Sequence, residues 1–372
     1  MDFVLFAFTG LSFALSLAVV LLKRTASTQH DDLHAIQSAH QRPTLRFGGL
    51  AVFATFVMAL LIEPTRANPH IFLNLVCVLP VLAVGFAEDA GWRIAPHWRL
   101  FAAIIGSLLA IFVCGAVIER LGFLRMDFVL EQQVVAVLLT VLALTGVTHS
   151  FNLLDGLHGL CGFTAIIVAV ALAVISSKGG QNEIGLVLAL LVAALVGFLM
   201  VNFPRGLLFL GDAGATGIGF ILASSAVHLL QVMPNLSPWA VALVFFWPIA
   251  DTLWTITRRM SRRTAAMRPD RMHFHHVVMR AFEILVLRKK NRAVSNPVAT
   301  AVLLPFIATP SIVGVLFCER DDLALIATLF FATFFLLGYR ALVRAAKHRV
   351  RVVFVSAPRS NAPLGGRGGG AE

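Results

Sequence analysis

Long apolar runs alternate with short polar segments along almost the whole chain. A run of about 20 apolar residues is long enough for an α-helix to cross the hydrocarbon core of a bilayer. The chain contains eleven such runs, at residues 3–22, 47–63, 71–86, 100–118, 133–148, 160–176, 184–202, 213–232, 238–257, 297–317 and 322–342. The pattern predicts an all-α integral membrane protein, built as one bundle of about 11 transmembrane helices.

Composition supports this class. Hydrophobic residues make up 58% of the chain and charged residues only 13%, against about a quarter charged in soluble proteins. No period of repeats and no long outer loop divides residues 1–343, so we expect one membrane domain. Residues 344–372 are basic and then rich in Gly and Pro, which predicts a disordered cytoplasmic tail.

The distribution of basic residues predicts the orientation of the bundle. If the first run is an uncleaved helix with its N-terminus outside, 25 of the 30 Lys and Arg residues fall on the inner side. The C-terminus is then cytoplasmic as well. The net charge of +11 is explained by this orientation and by attraction to anionic lipid head groups, so a nucleic-acid partner need not be invoked.

Several acids lie on the predicted inner side, although they are far apart in the sequence. Glu88 and Asp89 end the third run, Asp155 precedes the sixth, and Asp212 precedes the eighth. A carboxylate near a bilayer is costly, about 2.5–3.5 kcal/mol at a helix centre, so such a group calls for an explanation. We expect these inner segments to converge in the bundle.

Each acid also has a simpler interpretation. Taken alone, Glu88 and Asp89 are better explained as a solvated helix end paired with Arg93. Asn152 or Asp155 is a good N-cap for the sixth helix, and Asp212 is a good N-cap for the eighth.

Asp251 lies about two turns inside the ninth run. It either serves a functional site or pairs with Arg258.

The stretch RPDRMHFHH, residues 268–276, holds three histidines and two arginines. It lacks the closed spacing of a zinc site such as H-E-x-x-H. His273 and His276 are three residues apart and can share a helical face, while arginine adds fixed positive charge. The mixture favours an anion over a metal. A basic inner loop that happens to contain histidine is the plainer alternative.

Taken together, these segments make the chain resemble the polyprenyl-phosphate N-acetylhexosamine-1-phosphate transferases. The resemblance is closest to the branch that initiates antigen synthesis on undecaprenyl phosphate. It covers residues 42 to 280 and rests on six motifs in the family's order: GGL at 48–50, the acidic pair at 88–89, NLLDGLHGL at 152–160, NFPRGLLFLGDAG at 202–214, PIADTL at 248–253, and RPDRMHFHH. Two positions depart from the family pattern, because Glu88 and His158 each stand where the family usually has Asp.

The resemblance implies an enzyme of a bacterial inner membrane that initiates a cell-envelope polysaccharide. Such an enzyme transfers N-acetylhexosamine 1-phosphate from a UDP-sugar to undecaprenyl phosphate and releases UMP. It implies Mg²⁺, or Mn²⁺ in its place, held by Asp212 with Asp155 and Asp89, and phosphate contacts by His273, His275 and His276. The weaker substrate-binding candidates are Arg42, Arg46, Glu88, Asn152, His158, Asn202, Phe209, Asp251, Arg268 and Arg271.

Two other functions remain open from the sequence. A transporter has as many helices and a buried acid, but it places its binding residues near the bilayer midplane in repeated halves. A non-catalytic relative that binds lipid or nucleotide would explain the two departures at Glu88 and His158. The sequence decides neither the sugar nor whether the protein acts as a homodimer.

Overall fold

The computed structural model describes residues 2–25, 44–62, 69–123, 127–261 and 272–356. These ranges are predominantly helical. The α-helices within them are α1 (Asp2–Thr25), α2 (Gly48–Ile62), α3 (Pro69–Asp89), α4 (Pro96–Cys114), α5 (Gln133–Leu154), α6 (Leu160–Lys178), α7 (Asn182–Asn202), α8 (Gly211–Val232), α9 (Pro238–Val244), α10 (Phe246–Ser261), α11 (Phe274–Phe282), α12 (Arg292–Leu316) and α13 (Asp321–Ser356). A 3₁₀ turn, Asp127–Glu131, precedes α5, and a π-helical turn, Glu283–Leu287, follows α11.

Nine helices among the described residues are long and apolar enough to cross a membrane, and the bent pair of α9 and α10 would make a tenth span. Each of the eleven predicted runs contains a helix, but the count of eleven continuous spans is not confirmed. The second run forms only the 15 residues of α2. At 1.5 Å per residue α2 is about 22 Å long, which is shorter than the roughly 30 Å hydrocarbon core.

The ninth run differs more. It breaks at Phe245 into α9 and α10, whose axes differ by 83°. Pro248 lies in the first turn of α10, where its missing N–H costs no helical hydrogen bond, whereas within one continuous helix it would remove a bond. The break turns α10, which carries Asp251, away from the direction of α9.

α8 is the central helix of the bundle and packs against α2, α3, α5 and α6. Small residues allow this close packing near its start. A Cβ added to Gly49 of α2 would lie 2.4 Å from the Cα of Gly214, and one added to Gly85 of α3 would lie 2.4 Å from the Cα of Ala213. The N-terminus of α8 is thereby placed beside the start of α2 and the end of α3.

Backbone hydrogen bonds fix the start of α2 to the segment before α8. The amides of Gly48 and Gly49 donate to the carbonyls of Phe209 and Leu210, each at 2.8 Å, and the Phe209 amide donates to the Leu45 carbonyl at 2.8 Å. The first amides of a helix have no partner inside that helix. For α2, carbonyls of the loop before α8 supply the partners.

Two features near the C-terminus were not predicted. The histidine segment continues into α11, which packs against α12 and α13. α13 runs to Ser356, so the region from residue 344 that we expected to be disordered is helical at its start. Residues 344–356 contain neither Gly nor Pro, and Pro358 follows. The rest of the predicted tail lies outside the described residues.

Candidate active site at the N-terminus of α8

Two carboxylates from distant segments cap the first turn of α8. Asp89, the last residue of α3, accepts the amide of Asp212 at 2.8 Å on Oδ1 and the amide of Ala213 at 3.0 Å on Oδ2. Asp155, which follows α5, accepts the amide of Gly211 at 2.9 Å on Oδ2. Free amides and the positive end of the helix dipole favour negative charge at this position.

This arrangement corrects the capping interpretations made from the sequence. The residue at the N-cap position of α6 is Gly159, and Asp155 instead caps α8 through its side chain. Asp212 lies inside the first turn of α8, after Leu210 and Gly211, and is not its N-cap. The N-cap chemistry was identified correctly, but sequence proximity assigned it to the wrong helix.

The Asp212 side chain forms an ion pair with Arg99, a residue of the first turn of α4, through Oδ2 and Nη1. Neither side chain is fully enclosed, with exposures of 13% for Asp212 and 25% for Arg99. Glu88, one residue before Asp89, accepts the amide of Ile94 at 3.2 Å. Glu88 thus fixes the turn between α3 and α4 that carries Arg99 towards Asp212.

Arg46 lies beside the same helix start. A Cβ on Gly211 would come within 2.0 Å of the Arg46 carbonyl, and Gly211 has a φ of 77°, so only glycine fits here without strain. The positive charge of Arg46 acts favourably on the carboxylates of Asp89 and Asp155. Arg42, the second arginine proposed for phosphate binding, lies outside the described residues.

The histidine segment is anchored by Asp251. Oδ1 of this buried carboxylate accepts the Phe274 amide at 2.8 Å, and Oδ2 lies 3.3 Å from Nδ1 of both His273 and His275. Our alternative pairing of Asp251 with Arg258 is therefore replaced by one with the histidines. Arg268 and Arg271 of the same sequence stretch are not among the described residues.

His275 and His276 bring this segment against the loop that carries Asp155. A Cβ on Gly156 would lie 3.4 Å from Cε1 of His276 and 3.6 Å from Nε2 of His275. The same Nε2 is buried without a hydrogen-bond partner. Because Gly156 follows Asp155, and Asp155 bonds the amide before Asp212, the histidine segment and the start of α8 belong to one site.

Burial changes the ionisation of several groups in this site that lie outside the long helices. It raises the pKa of Asp155 well above its usual range, although the Gly211 amide and Arg46 oppose this. It lowers the pKa of His275, against the influence of Asp251. It also lowers the pKa of His276 well below the ordinary value, with the neighbouring histidines adding to the effect. Both imidazoles are therefore neutral at neutral pH and act as hydrogen-bonding groups.

Three of the weaker candidates build the loops beneath the site. Asn202 is buried, accepts the Gly159 amide on Oδ1 and donates from Nδ2 to the Leu208 carbonyl. Phe209 is buried and its ring packs edge-on against the imidazole of His158 at 5.8 Å. Asn202 and Phe209 thus shape the loops before α6 and α8, and their role in substrate binding stays a prediction.

His158 replaces the acid of the family pattern with a hydrogen-bond donor. Nδ1 donates to the Pro204 carbonyl at 2.7 Å, and burial lowers the pKa of the imidazole. Asn296 and Thr300 of α12 bind the backbone of His158 at 2.7 and 2.8 Å. Asn152 lies in the last turn of α5, and its carbonyl accepts the Asp155 amide at 3.3 Å.

Two neighbours of Asp212 were missed by sequence reasoning. Arg99 was counted only as one of the inner basic residues, and His149 of α5 was not considered. The charges of Arg99 and Asp212 both act on His149, which places the three groups together. The available signal was weak: a single basic residue at the start of an apolar run, and a histidine one turn before Asn152 in a helix.

The donor set fits a divalent metal in one specific way. Among the described residues, no group of three or more His, Cys, Asp or Glu side chains forms a ready-made metal site. Asp89 and Asp155 already accept backbone amides, while the Asp212 carboxylate is paired with the side chain of Arg99. Mg²⁺ is commonly held by one or two carboxylates together with substrate phosphates, and that mode suits these residues.

Comparison with known proteins agrees with the geometry. Undecaprenyl-phosphate alpha-N-acetylglucosaminyl 1-phosphate transferase of Yersinia pestis is 27% identical over 251 residues, covering 65% of this chain and 67% of that protein. A probable undecaprenyl-phosphate N-acetylglucosaminyl 1-phosphate transferase of Bacillus subtilis is also 27% identical, over 65% of this chain and 68% of that protein. Decaprenyl-phosphate N-acetylglucosaminephosphotransferase of Mycobacterium tuberculosis is 29% identical, with 64% and 66% covered.

Residues 71–230 match the model of a single protein family. They cover most of α3 and α8 and all of the helices between them, with Glu88, Asp89, Arg99, Asp155 and Asp212, while the histidine segment lies beyond the match. The family is glycosyl transferase family 4, and the chain is similar to it over these residues.

Proposed function

We propose that this protein transfers N-acetylhexosamine 1-phosphate from a UDP-sugar to undecaprenyl phosphate, and releases UMP. The relatives named above are polyprenyl-phosphate N-acetylglucosaminyl 1-phosphate transferases, which supports this reaction. The observation that carries the proposal is the meeting of three distant polar loops at the start of α8. Asp89 and Asp155 cap that helix beside Asp212, and Gly156 places the histidines next to Asp155.

Both substrates are anionic, so the enzyme must neutralise charge and align the reacting phosphates. Arg46 and Arg99 supply fixed positive charge close to the three aspartates. His276 is neutral and would donate an N–H hydrogen bond to a phosphate oxygen. Asp251 holds His273 and His275 in place and is a positioning residue, because it contacts them from within the bundle.

A general base is not required for this reaction. The second pKa of a phosphate monoester is about 6, so much of the lipid phosphate is already dianionic at neutral pH. Both oxygens of Asp89 accept backbone amides, and taking up a proton would weaken those bonds. We propose that Asp89 and Asp155 position the start of α8, and that the attacking oxygen needs no proton removed.

We further propose Mg²⁺, or Mn²⁺ in its place, as the cofactor. Asp212 would be the principal ligand, with Asp155 and Asp89 assisting directly or through water. When bound, the ion would neutralise the diphosphate and stabilise the leaving UMP. The remaining charge would be balanced by the arginines of the site.

We propose the inner membrane of a bacterium as the location, with the site at the cytoplasmic face. The basic residues support this orientation, as 25 of 30 fall on that side. A soluble UDP-sugar would then reach the site from the cytoplasm, while the lipid phosphate would approach from the bilayer.

The decisive experiment is isotope exchange with purified protein. Radiolabelled UMP, polyprenyl phosphate and Mg²⁺ are incubated with UDP-GlcNAc, UDP-GalNAc, UDP-QuiNAc or UDP-FucNAc in parallel, and label entering the UDP-sugar is measured. We expect exchange with at least one sugar and its loss in Asp212→Asn, by about 10³-fold or more. Absence of exchange with every sugar would contradict a transferase and favour transport or binding.

The observations that suggested a non-catalytic relative have a structural explanation. Glu88 and His158 departed from the family pattern, yet each has a defined contact: Glu88 with the Ile94 amide, His158 with the Pro204 carbonyl. These contacts stabilise the loops around the site. The two departures therefore fit a working enzyme as well as an inert one.

A further inference from the structure

Arg99 occupies the carboxylate that the proposed function assigns to the metal. Its guanidinium contacts Oδ2 of Asp212, and the two side chains are only partly exposed. A half-buried carboxylate without a countercharge is costly, so one cation, either arginine or metal, should always be paired with it. The two cations compete for the same oxygen.

A second carboxylate lies near this ion pair, because Glu88 directly precedes Asp89, which accepts the backbone amide of Asp212. The charge of Arg99 acts favourably on Glu88, and the charge of Asp212 acts unfavourably on it. Oε2 of Glu88 accepts the Ile94 amide in the short turn between α3 and α4, and Arg99 lies in the first turn of α4 after it. Glu88 and Asp212 both interact with the charge of Arg99, and an arginine side chain is long enough to move between neighbouring acids.

We propose that Arg99 neutralises Asp212 until a divalent cation binds, and then moves to Glu88. This inference rests on the proposed function, because it takes Asp212 as the metal ligand. In the Glu88-bound position, Arg99 stays beside the site with its remaining donors available to a substrate phosphate. Glu88 thereby gains a role: it receives the arginine that the metal displaces.

The competition predicts effects of opposite sign on metal binding. Arg99→Gln removes the competitor, so the divalent cation should bind more tightly, by about threefold or more. Glu88→Gln removes the second position for the arginine, so the cation should bind more weakly by a similar factor. In a protein without Arg99 no arginine can move to Glu88. Glu88→Gln should then change the affinity for the divalent cation much less.

The test is a titration of purified protein with Mn²⁺ in the absence of substrate, with free Mn²⁺ measured by electron paramagnetic resonance. The proteins are the parent, Arg99→Gln, Glu88→Gln, the double variant, Asp212→Asn, and Arg93→Gln as a control for loss of one nearby exposed positive charge. Melting temperatures establish that each variant is folded. Should Arg99→Gln be unstable, Arg99→Lys replaces it and should tighten binding by a smaller factor.

The inference is overturned if Arg99→Gln binds Mn²⁺ no more tightly than Arg93→Gln, or if the Glu88→Gln effect is the same with and without Arg99. Mn²⁺ binding that survives in Asp212→Asn would instead remove Asp212 as a ligand. Neither result bears on UMP exchange, which tests the transferase activity separately. Failure of the arginine movement and failure of the proposed function are therefore distinguishable.

Discussion

His158 is a single residue whose meaning changes between sequence and structure. In the sequence it stands where the family motif usually has an acid. In the structure its Nδ1 donates a hydrogen bond to the Pro204 carbonyl. An ionised carboxylate at that position could not donate to the Pro204 carbonyl, because both groups are hydrogen-bond acceptors. The imidazole also lies over Gly206, where an added Cβ would come within 2.5 Å of the ring.

We expect His158→Asp to destabilise the protein and not to raise its activity. Losing the hydrogen bond to Pro204 leaves its carbonyl without a partner, which costs about 1–3 kcal/mol. The measurements are the melting temperature in detergent and UMP exchange. His158→Asn is the matched control, because its amide can still donate to Pro204, and it should lose less stability. Higher exchange in His158→Asp would show that the family's acid is needed here.

His276 gives a prediction for pH. Burial holds its folded-state pKa well below the ordinary value of 6.5, so between these two pKa values the unfolded chain binds more protons than the folded one. The stabilisation is fully present above pH 6.5 and is lost as the pH falls through this window. The slope is at most about 1.4 kcal/mol per pH unit for one such group.

We therefore expect the melting temperature to fall between about pH 7.5 and pH 5, and to fall less in His276→Gln. The readout is intrinsic fluorescence during heating at each pH, with parent and variant in the same buffers. An equal or steeper fall in His276→Gln would contradict a buried neutral imidazole at this position.

At the scale of elements, the start of α8 is the feature on which the site depends. Its first amides are capped by Asp89 and Asp155. The loop before it accepts the first backbone amides of α2 on its carbonyls. The glycines near the start of α8 allow close packing, since a Cβ on Gly49 would lie 2.4 Å from the Cα of Gly214. Convergence of the acidic segments was expected, but capping of α8 by the carboxylates of Asp89 and Asp155 was not, since both come from segments more than 50 residues away in the chain.

Gly211→Ala tests this element. The φ of 77° costs a non-glycine residue about 1–3 kcal/mol, and the new Cβ would meet the Arg46 carbonyl and the Asp89 carboxylate. We expect a lower melting temperature together with a loss of UMP exchange. Gly146→Ala in α5 is the control: an added Cβ there has nothing within 4 Å, and alanine favours the helix by about 1 kcal/mol. Similar behaviour of the two variants would contradict the tight site at α8.

The break between α9 and α10 is the second lesson at this scale. Hydropathy predicts one continuous apolar run, but the structure divides it into two helices that meet at an angle of 83°, with Pro248 in the first turn of the second. The bend matters because α10 brings Asp251 to the histidines. Apolar content predicts that a segment lies in the membrane, whereas local features such as a proline decide whether it stays straight.

At the scale of the whole molecule, the orientation in the membrane is the main prediction. Single cysteines at Glu183, in the first turn of α7, and at Lys289, after the π-helical turn, probe opposite sides. Both positions are exposed, whereas the four native cysteines are buried. In intact cells a membrane-impermeant maleimide should label Glu183→Cys and leave Lys289→Cys unlabelled until the cells are opened. The reverse pattern would place the site outside and contradict the proposed function.

The sequence by itself determined the class of molecule. Apolar run length, basic-residue distribution and motif order follow from local chemistry and from the solvent properties of a bilayer, which act on each segment separately. Only the tertiary structure decided which groups meet. Asp155 caps α8 and not α6, Arg99 pairs with Asp212, and Asp251 holds the histidines. Such contacts join residues that are far apart in the chain, and they arise from the way helices pack, which no single segment encodes.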